Sequence, residues 1–455
     1  MRTRLLAVAA AVFVAGLVTV LTVEVGRERD GLRVIGHQAA PEVVATSDLY
    51  FALNDMDAQL ANALLVGNDT TLGFTRAQAL DIYQQRRQQV SRDLQQAAAA
   101  AADPVTAKSV RDILDGLGQY ETLAAQTILL DQQADHAAGQ ASGAALAQYR
   151  LATDLLAAVL LPAARSLTEH HAEALERTYE GERGRVLAVR GWLILLGFLA
   201  LAGLVVLQVH LARRFHRALN APLVAATMFV VVLAGAGVAS TSSVAEHLRA
   251  AKKDAFDSNL VLNRARAISY DANADESRYL VDPDRADRYE EAFLAKTLQL
   301  VTLDGATLTT VDGALDRTWQ AYRHDHRAVG WQGYLGAEFR NITFDGERAA
   351  AETAFTRYQT YQLDDRRIRQ LVNDGKRRDA IAFCTSYAPG DSNYAFDQYD
   401  QALVVLIDIN QRAFDGSIHD GEQELSRWPF VPAGIAAAVL ALLFLGLRRR
   451  LAEYR

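Results

Sequence analysis

The sequence predicts an all-α integral membrane protein: four transmembrane helices and two extracytoplasmic antiparallel helical bundles, built by internal duplication. Three observations carry that prediction. Four apolar runs, Leu5–Val23, Val186–Val209, Ala221–Val244 and Trp428–Leu447, are each long enough to cross a hydrocarbon core of ~30 Å, and none has a charged residue or His at its centre. Arginine gathers in the short segments between and beyond these runs. The long intervening segments show apolar residues at helical spacing and almost no strand signal.

Charge placement gives the orientation. Residues 1–4, the hairpin His210–Asn220 and residues 448–455 hold Arg2, Arg4, Arg213, Arg214, Arg217, Arg448, Arg449, Arg450 and Arg455 against a single acid, Glu453. Of 47 Lys and Arg and 54 Asp and Glu in all, the remainder of the chain keeps a formal excess of 15 negative charges. Positive segments inside and acidic segments outside agree, so both termini are expected in the cytoplasm of a multi-pass cell-membrane protein. Arg2 and Arg4 before an Ala-rich run also fit a cleaved leader, although the run is long and no small-x-small site closes it before Glu24.

The order along the chain is then a first span (1–25), a first bundle (26–185), a second span (186–209), a basic hairpin (210–220), a third span (221–244), a second bundle (245–427), a fourth span (428–447) and a basic tail (448–455). In the first bundle, Leu49, Leu53, Met56, Leu60 and Ala63 alternate steps of 4 and 3, the seam of shallowly packed helices. VGNDTT (66–71) breaks that helix. A second helix covers Thr75 to Ala101. Asp103-Pro104 opens a third, because proline fits a first helical turn. GQASG (139–143) precedes a fourth, seamed by Tyr149, Thr153, Leu156, Leu160, Ala163 and Leu167. Pro41 and Pro162 lie inside these helices and should kink them.

The second bundle follows the same plan. A helix from Ser242 to Val281 ends at DPD (282–284), and further helices cover Asp284–Val329, Gly346–Val372 and Asp379–Ser386. Asp365 is a polar exception on the third seam. The last long helix carries Phe396, Tyr399, Leu403, Leu406, Asn410 and Ala413. ALLVGND (63–69) and RYLVDPD (278–284) end equivalent helices ~215 residues apart, which is the mark of the duplication.

Catalytic and metal chemistry find little footing. His170-His171 and HDH (324–326) diverge around a helix, whereas a zinc site needs converging ligands. No nucleophile elbow, phosphate loop or dinucleotide fingerprint occurs at a strand–helix junction. Cys384 is alone and reads as a small buried apolar residue. The Asn341-Ile342-Thr343 sequon reads as a loop, and Asn410 as either a register-fixing core amide or a ligand contact. Gly191, Gly197, Gly203, Gly235, Ala239, Gly434 and Ala438 offer small surfaces for helix contact in the membrane. The uncharged spans argue against a transport pathway, and nothing suggests nucleic acid. No enzyme activity, cofactor or metal is expected, and the oligomeric state is not legible.

Two surfaces stand out for partners. Arg213, Arg214, Arg217, Arg448, Arg449 and Arg450 form a face for membrane lipid or a cytoplasmic protein. Asn68, Asp69, Asp282 and Asp284, at the expected membrane-distal turns, could meet an extracytoplasmic one. The segment GKRRDAIAFCTSYAPGDSNYAFDQYDQALVVLIDINQRAF (375–414) resembles the end of the four-helix-bundle sensor domains of bacterial chemoreceptors and sensor kinases. Four spans, two outer helical domains and LLAAVLLPAARSL (155–167) resemble the GlnX family of actinobacterial four-span membrane proteins. That resemblance implies a sensor of amino-acid availability, coupled to a solute-binding lipoprotein outside and a serine/threonine protein kinase inside. Direct small-molecule reception and a ligand-free envelope scaffold are the other classes open to such an architecture.

Overall fold

The computed structural model describes residues 2–451 apart from 102, 216–219, 427, 429 and 430; the side chains at 2, 4, 100, 214, 215, 447 and 449–451 also lie outside the description. Every regular element among the described residues is a helix, and one isolated bridge joins Thr302 to Gln332. In chain order the helices are α1 (Arg2–Val34), α2 (Ala40–Val66), α3 (Arg76–Ala100), α4 (Pro104–Ala134), α5 (Gly143–Leu155), α6 (Leu161–Phe215) and α7 (Ala221–Arg249). There follow α8 (Asp257–Val281), α9 (Ala286–Leu300), α10 (Val311–His324), α11 (Gly333–Asn341), α12 (Glu347–Asn373), α13 (Arg377–Thr385), α14 (Ser392–Ser426) and α15 (Val431–Leu451).

Helix starts follow from their capping residues. Thr75 and Gln78 make a reciprocal capping box at α3. Asp103 accepts from the amides of Val105 and Thr106, with Pro104 in the first turn of α4. The prolines expected to kink the chain are answered by π-turns immediately before them: Ile35–Ala39 precedes Pro41, and Leu156–Leu160 precedes Pro162. A proline lacks the N–H for its i−4 carbonyl and crowds it, and one wide turn relieves both faults. A third π segment, Ala250–Phe256, has no proline.

The chain forms two compact units. One comprises Met1–Ala39, Ala174–Lys252 and Phe414–Arg455; the other comprises Ala40–Glu173 and Lys253–Ala413. The first unit contains the apolar runs of four helices long and apolar enough to cross a membrane. Its core is made by Leu17, Leu193, Val230 and Val439 with their neighbours, while Leu5, Phe198, Met228 and Phe444 are each more than 60% exposed. A bundle with an apolar outside as well as an apolar inside suits a lipid environment. Of the small residues expected at helix contacts, Gly197 faces Ala234 and Gly203 faces Ala10, but Gly191, Gly235 and Gly434 face open space. Gly237, against Leu21 and Leu193, is the tighter contact.

The second unit draws on both of the segments read as bundles. Residues 40–173 and 253–413 share it, and one apolar cluster joins Leu49–Val66, helices α3 to α6, and Ala267, Leu280, Ile368 and Phe383. A further cluster stacks Trp319, Trp331, Phe339 and Phe355. At the centre lie α2 and α8, buried on all sides over most of their length. The π segments open at Ile35 and Ala250 and the central helices close at Val66 and Val281, in both cases 215 residues apart. Equivalent positions also meet: Ser277 Oγ donates to Asn62 Oδ1 at 2.7 Å, and the Arg266 guanidinium lies 4.4 Å from the Phe51 ring. Counterparts touching at two levels three turns apart mean that α2 and α8 run parallel.

A correction concerns the helix expected over 284–329. It is broken between α9 and α10, where Gly305 takes a positive φ of 68° and Thr302 turns to pair with Gln332. Threonines 307, 309 and 310 hydrogen-bond one another through this loop, the local bonding by which such residues compete with a helix. Helix α11, absent from the sequence reading, follows it.

Candidate functional site

The site grows from one face of α8. Asp271, Asp275 and Arg278 step by 4 and 3, so they share a face of the helix. That face is buried, and its charges are answered by Asp57 of α2 and Lys296 of α9, with α4 and α5 bonding Asp57 in turn. Arg278 reaches Asp57 of α2 at 2.7 Å, Asp275 at 2.6 Å and Asp271 at 3.2 Å. Lys296 of α9 pairs with Asp271 at 2.8 Å and Asp275 at 2.5 Å. Asp57 also accepts from Tyr120 of α4 and from Tyr149 and Thr153 of α5, at 3.0, 3.2 and 3.0 Å. Burial pulls the Lys296 ammonium down, but Asp271 and Asp275 outweigh it and hold its pKa above the ordinary value.

This network floors a cleft of about 430 Å³. The opposite wall is α6 after Pro162, where Arg165 and Glu169 are exposed; apolar wall is supplied by Leu156 and Leu161. Arg165 donates to the Tyr50 hydroxyl at 3.2 Å and pairs with no carboxylate among the described residues. A smaller cavity of about 70 Å³ adjoins and shares Tyr50, Arg165 and Glu169. The larger one is lined by four acids, Asp154, Glu169, Asp271 and Asp275, and by four bases, Arg165, Arg278, Arg288 and Lys296. Such a cleft is chemically a place for a small molecule bearing both charges.

The residues singled out from sequence fall elsewhere. Arg213 and Arg448 are exposed, whereas Arg214, Arg217, Arg449 and Arg450 lie outside the described residues. Asn68 is held between Asp135 and Arg76. Asp69 accepts from Thr71 and pairs with Arg378 at 2.8 Å; the bonds from Thr71 first, then Arg378, lower its pKa to about 2. Asp282 is fully buried beneath the Arg150 guanidinium and the Tyr289 hydroxyl, so it is closed to a partner, while the Asp284 carboxylate is exposed. Asn341 spends its amide on the carbonyls of Lys253 and Asp254. Asn410 is buried and donates to the Leu406 carbonyl. Cys384 is buried in the core, and Asp365 is paired with Arg369 at 2.8 Å. His326 lies against Tyr322, and His170 and His171 approach different carboxylates, Asp103 and Glu42.

Asp271, Asp275, Arg278 and Lys296 were not foreseen. Their signal was present: the steps of 4 and 3 in DANADESR (271–278) match those of the apolar seams. Charged residues at that spacing ordinarily mark a solvated face, and only the crowding of α8 makes this one internal. The duplicated half has no equivalent, since Met56 and Leu60 stand 215 residues before Asp271 and Asp275.

No curated protein and no solved structure matches the chain. Residues 31–180, about a third of the sequence, match the family described as an actinobacterial sensor domain. That stretch contributes Tyr50, Thr153, Arg165 and Glu169 to the cleft, and through it the chain is similar to actinobacterial sensors.

Proposed function

We propose that the chain is a non-enzymatic transmembrane sensor that registers amino-acid availability outside the cell and passes it to the cytoplasm. The observation that carries this reading is the sensor-domain match over residues 31–180, in a chain with four membrane-length apolar helices. The resemblance to the GlnX family supplies the partners: a solute-binding lipoprotein at the exposed turns of Asn68 and Asp284, and a serine/threonine protein kinase at the basic hairpin and tail. Both termini are cytoplasmic in this reading, and the large unit faces outward. A tenfold preference of the lipoprotein for one packing of that unit supplies about 1.4 kcal/mol, enough to shift a balanced equilibrium to roughly 10:1.

Photocrosslinking in intact cells from Asn68, Asp284 and Arg214 tests it. Capture of a lipoprotein outside and a kinase inside is the expected result. Lipid alone at all three positions favours a scaffold, and labelling that puts residues 26–185 or 245–427 in the cytosol overturns the relay. A second reading, direct reception of a small molecule, is favoured by the charge-lined cleft beside α8.

A further inference from the structure

We propose that the cleft beside α8 binds a free α-amino acid with an uncharged side chain, its carboxylate on Arg165 and its ammonium on Asp271 and Asp275. The inference rests on the direct-receptor reading and names its ligand class. Three features of the cleft select that class.

First, the two ends of the site carry complementary unmet charge. Among the described residues Arg165 donates to a tyrosine hydroxyl and forms no ion pair with a carboxylate, with Glu169 one turn along acting on it only through space. A guanidinium so placed is a fork for a carboxylate. The floor is unbalanced in the other sense. Asp271 and Asp275, which line the cleft, share their cations with Asp57 behind it, so three carboxylates divide Arg278 and Lys296 between them.

Second, the two ends are close. Tyr50, Arg165, Asp271 and Lys296 all line the one cavity, and the Tyr50 hydroxyl takes the Arg165 hydrogen bond at 3.2 Å. A small zwitterion bridges such a gap, and Tyr50 is buried and held in place.

Third, the lining taken as a whole is balanced. Its four acids and four bases, Arg165 and the floor among them, cancel, which disfavours a ligand of net charge, and Ala157 and Pro162 offer exposed apolar surface to a side chain. The volume of about 430 Å³ exceeds what an amino acid needs and lies in the ordinary range for small-ligand sites.

The test is isothermal titration of the full chain in lipid nanodiscs with L-leucine and L-glutamine as probes. Saturable binding of at least one is expected. Removing the ligand ammonium (N-acetyl-L-leucine) or its carboxylate (L-leucinamide) should weaken binding at least tenfold. L-Lysine and L-glutamate should bind at least tenfold more weakly than the better neutral probe. Arg165→Gln should abolish measurable binding, Arg165→Lys should restore part of it, and Arg412→Gln, at an exposed position away from the cleft, should leave it unchanged. The derivative arms use unaltered protein, so they decide the matter even where a variant fails to fold. Binding of L-leucinamide as tight as L-leucine, tighter binding of putrescine or succinate, or no saturation by either neutral probe overturns the assignment. If the cleft stays silent while Asn68 or Asp284 captures a lipoprotein, this inference falls and the relay stands; if both fail, the sensor reading falls with it.

Discussion

Arg278 shows how much one side chain can hold. It is 5% exposed and bridges Asp57, Asp271 and Asp275, so it ties two central helices together. Breaking a buried ion pair from one side leaves uncompensated charge and costs about 3–5 kcal/mol. Arg278→Met is expected to lower the stability of the large unit by that amount, read from denaturant unfolding, whereas Arg412→Gln, which breaks only an exposed pair with Asp408, should change it little. A second buried group gives the unit a pH dependence. Glu338 lies against Glu347 in the core; burial first, then the neighbouring carboxylate, raise its pKa from 4.5 to about 8. The folded state therefore binds a proton that the unfolded state releases above about 4.5. Stability from this group is complete below that value and is lost as pH rises through about 8, by up to about 1.4 kcal/mol per pH unit. Unfolding followed between pH 5 and 8.5 should show that decline, and Glu338→Gln should flatten it. An unchanged slope in the variant would assign the dependence to other groups.

At the scale of elements, helix existence was legible and helix surroundings were not. The 4, 3 seams, Thr75, Asp103-Pro104 and the turn at 66–71 fix the end of α2, both ends of α3 and the start of α4 within a residue or two, because caps and breakers act locally. Prolines 41 and 162 announced a distortion, yet its form, a π-turn ahead of each, depends on how the helix wall relaxes. The break at 301–310 and the charged cleft were hidden for a different reason. Both depend on partners far along the chain: Gln332 for the first, and Asp57 and Lys296 for the second. Local spacing placed Asp271, Asp275 and Arg278 together without telling that α8 is enclosed. The turn after α2 offers a test of local strain. Gly67 has φ +58°, and a Cβ there would meet the His136 carbonyl oxygen at 2.5 Å. Gly67→Ala should cost at least about 1–2 kcal/mol, seen as a lower thermal midpoint, since both the backbone region and the space refuse a side chain. Gly143→Ala, with open space around it, should cost far less.

At the scale of the molecule, the duplication has been folded together and not laid out as two beads. The large unit draws α2–α5 and the first turns of α6 from the first half, and α8–α13 and the first part of α14 from the second. Separate expression of residues 1–213 and 220–455 is therefore expected to give neither half a protease-resistant large unit. Co-expression of the two should restore it. Protection of either fragment alone would return the description to two independent bundles. The parallel pairing of α2 and α8 carries a further consequence. In a symmetric pair of identical chains, each side chain on the dyad confronts its own copy, so an arginine there would face an arginine and a carboxylate a carboxylate. One continuous polypeptide escapes that rule: it sets arginine on phenylalanine at 266 and 51, and serine on asparagine at 277 and 62. Covalent linkage thus licenses an unequal seam, and with it a single lopsided pocket where a homodimer would be bound to carry two.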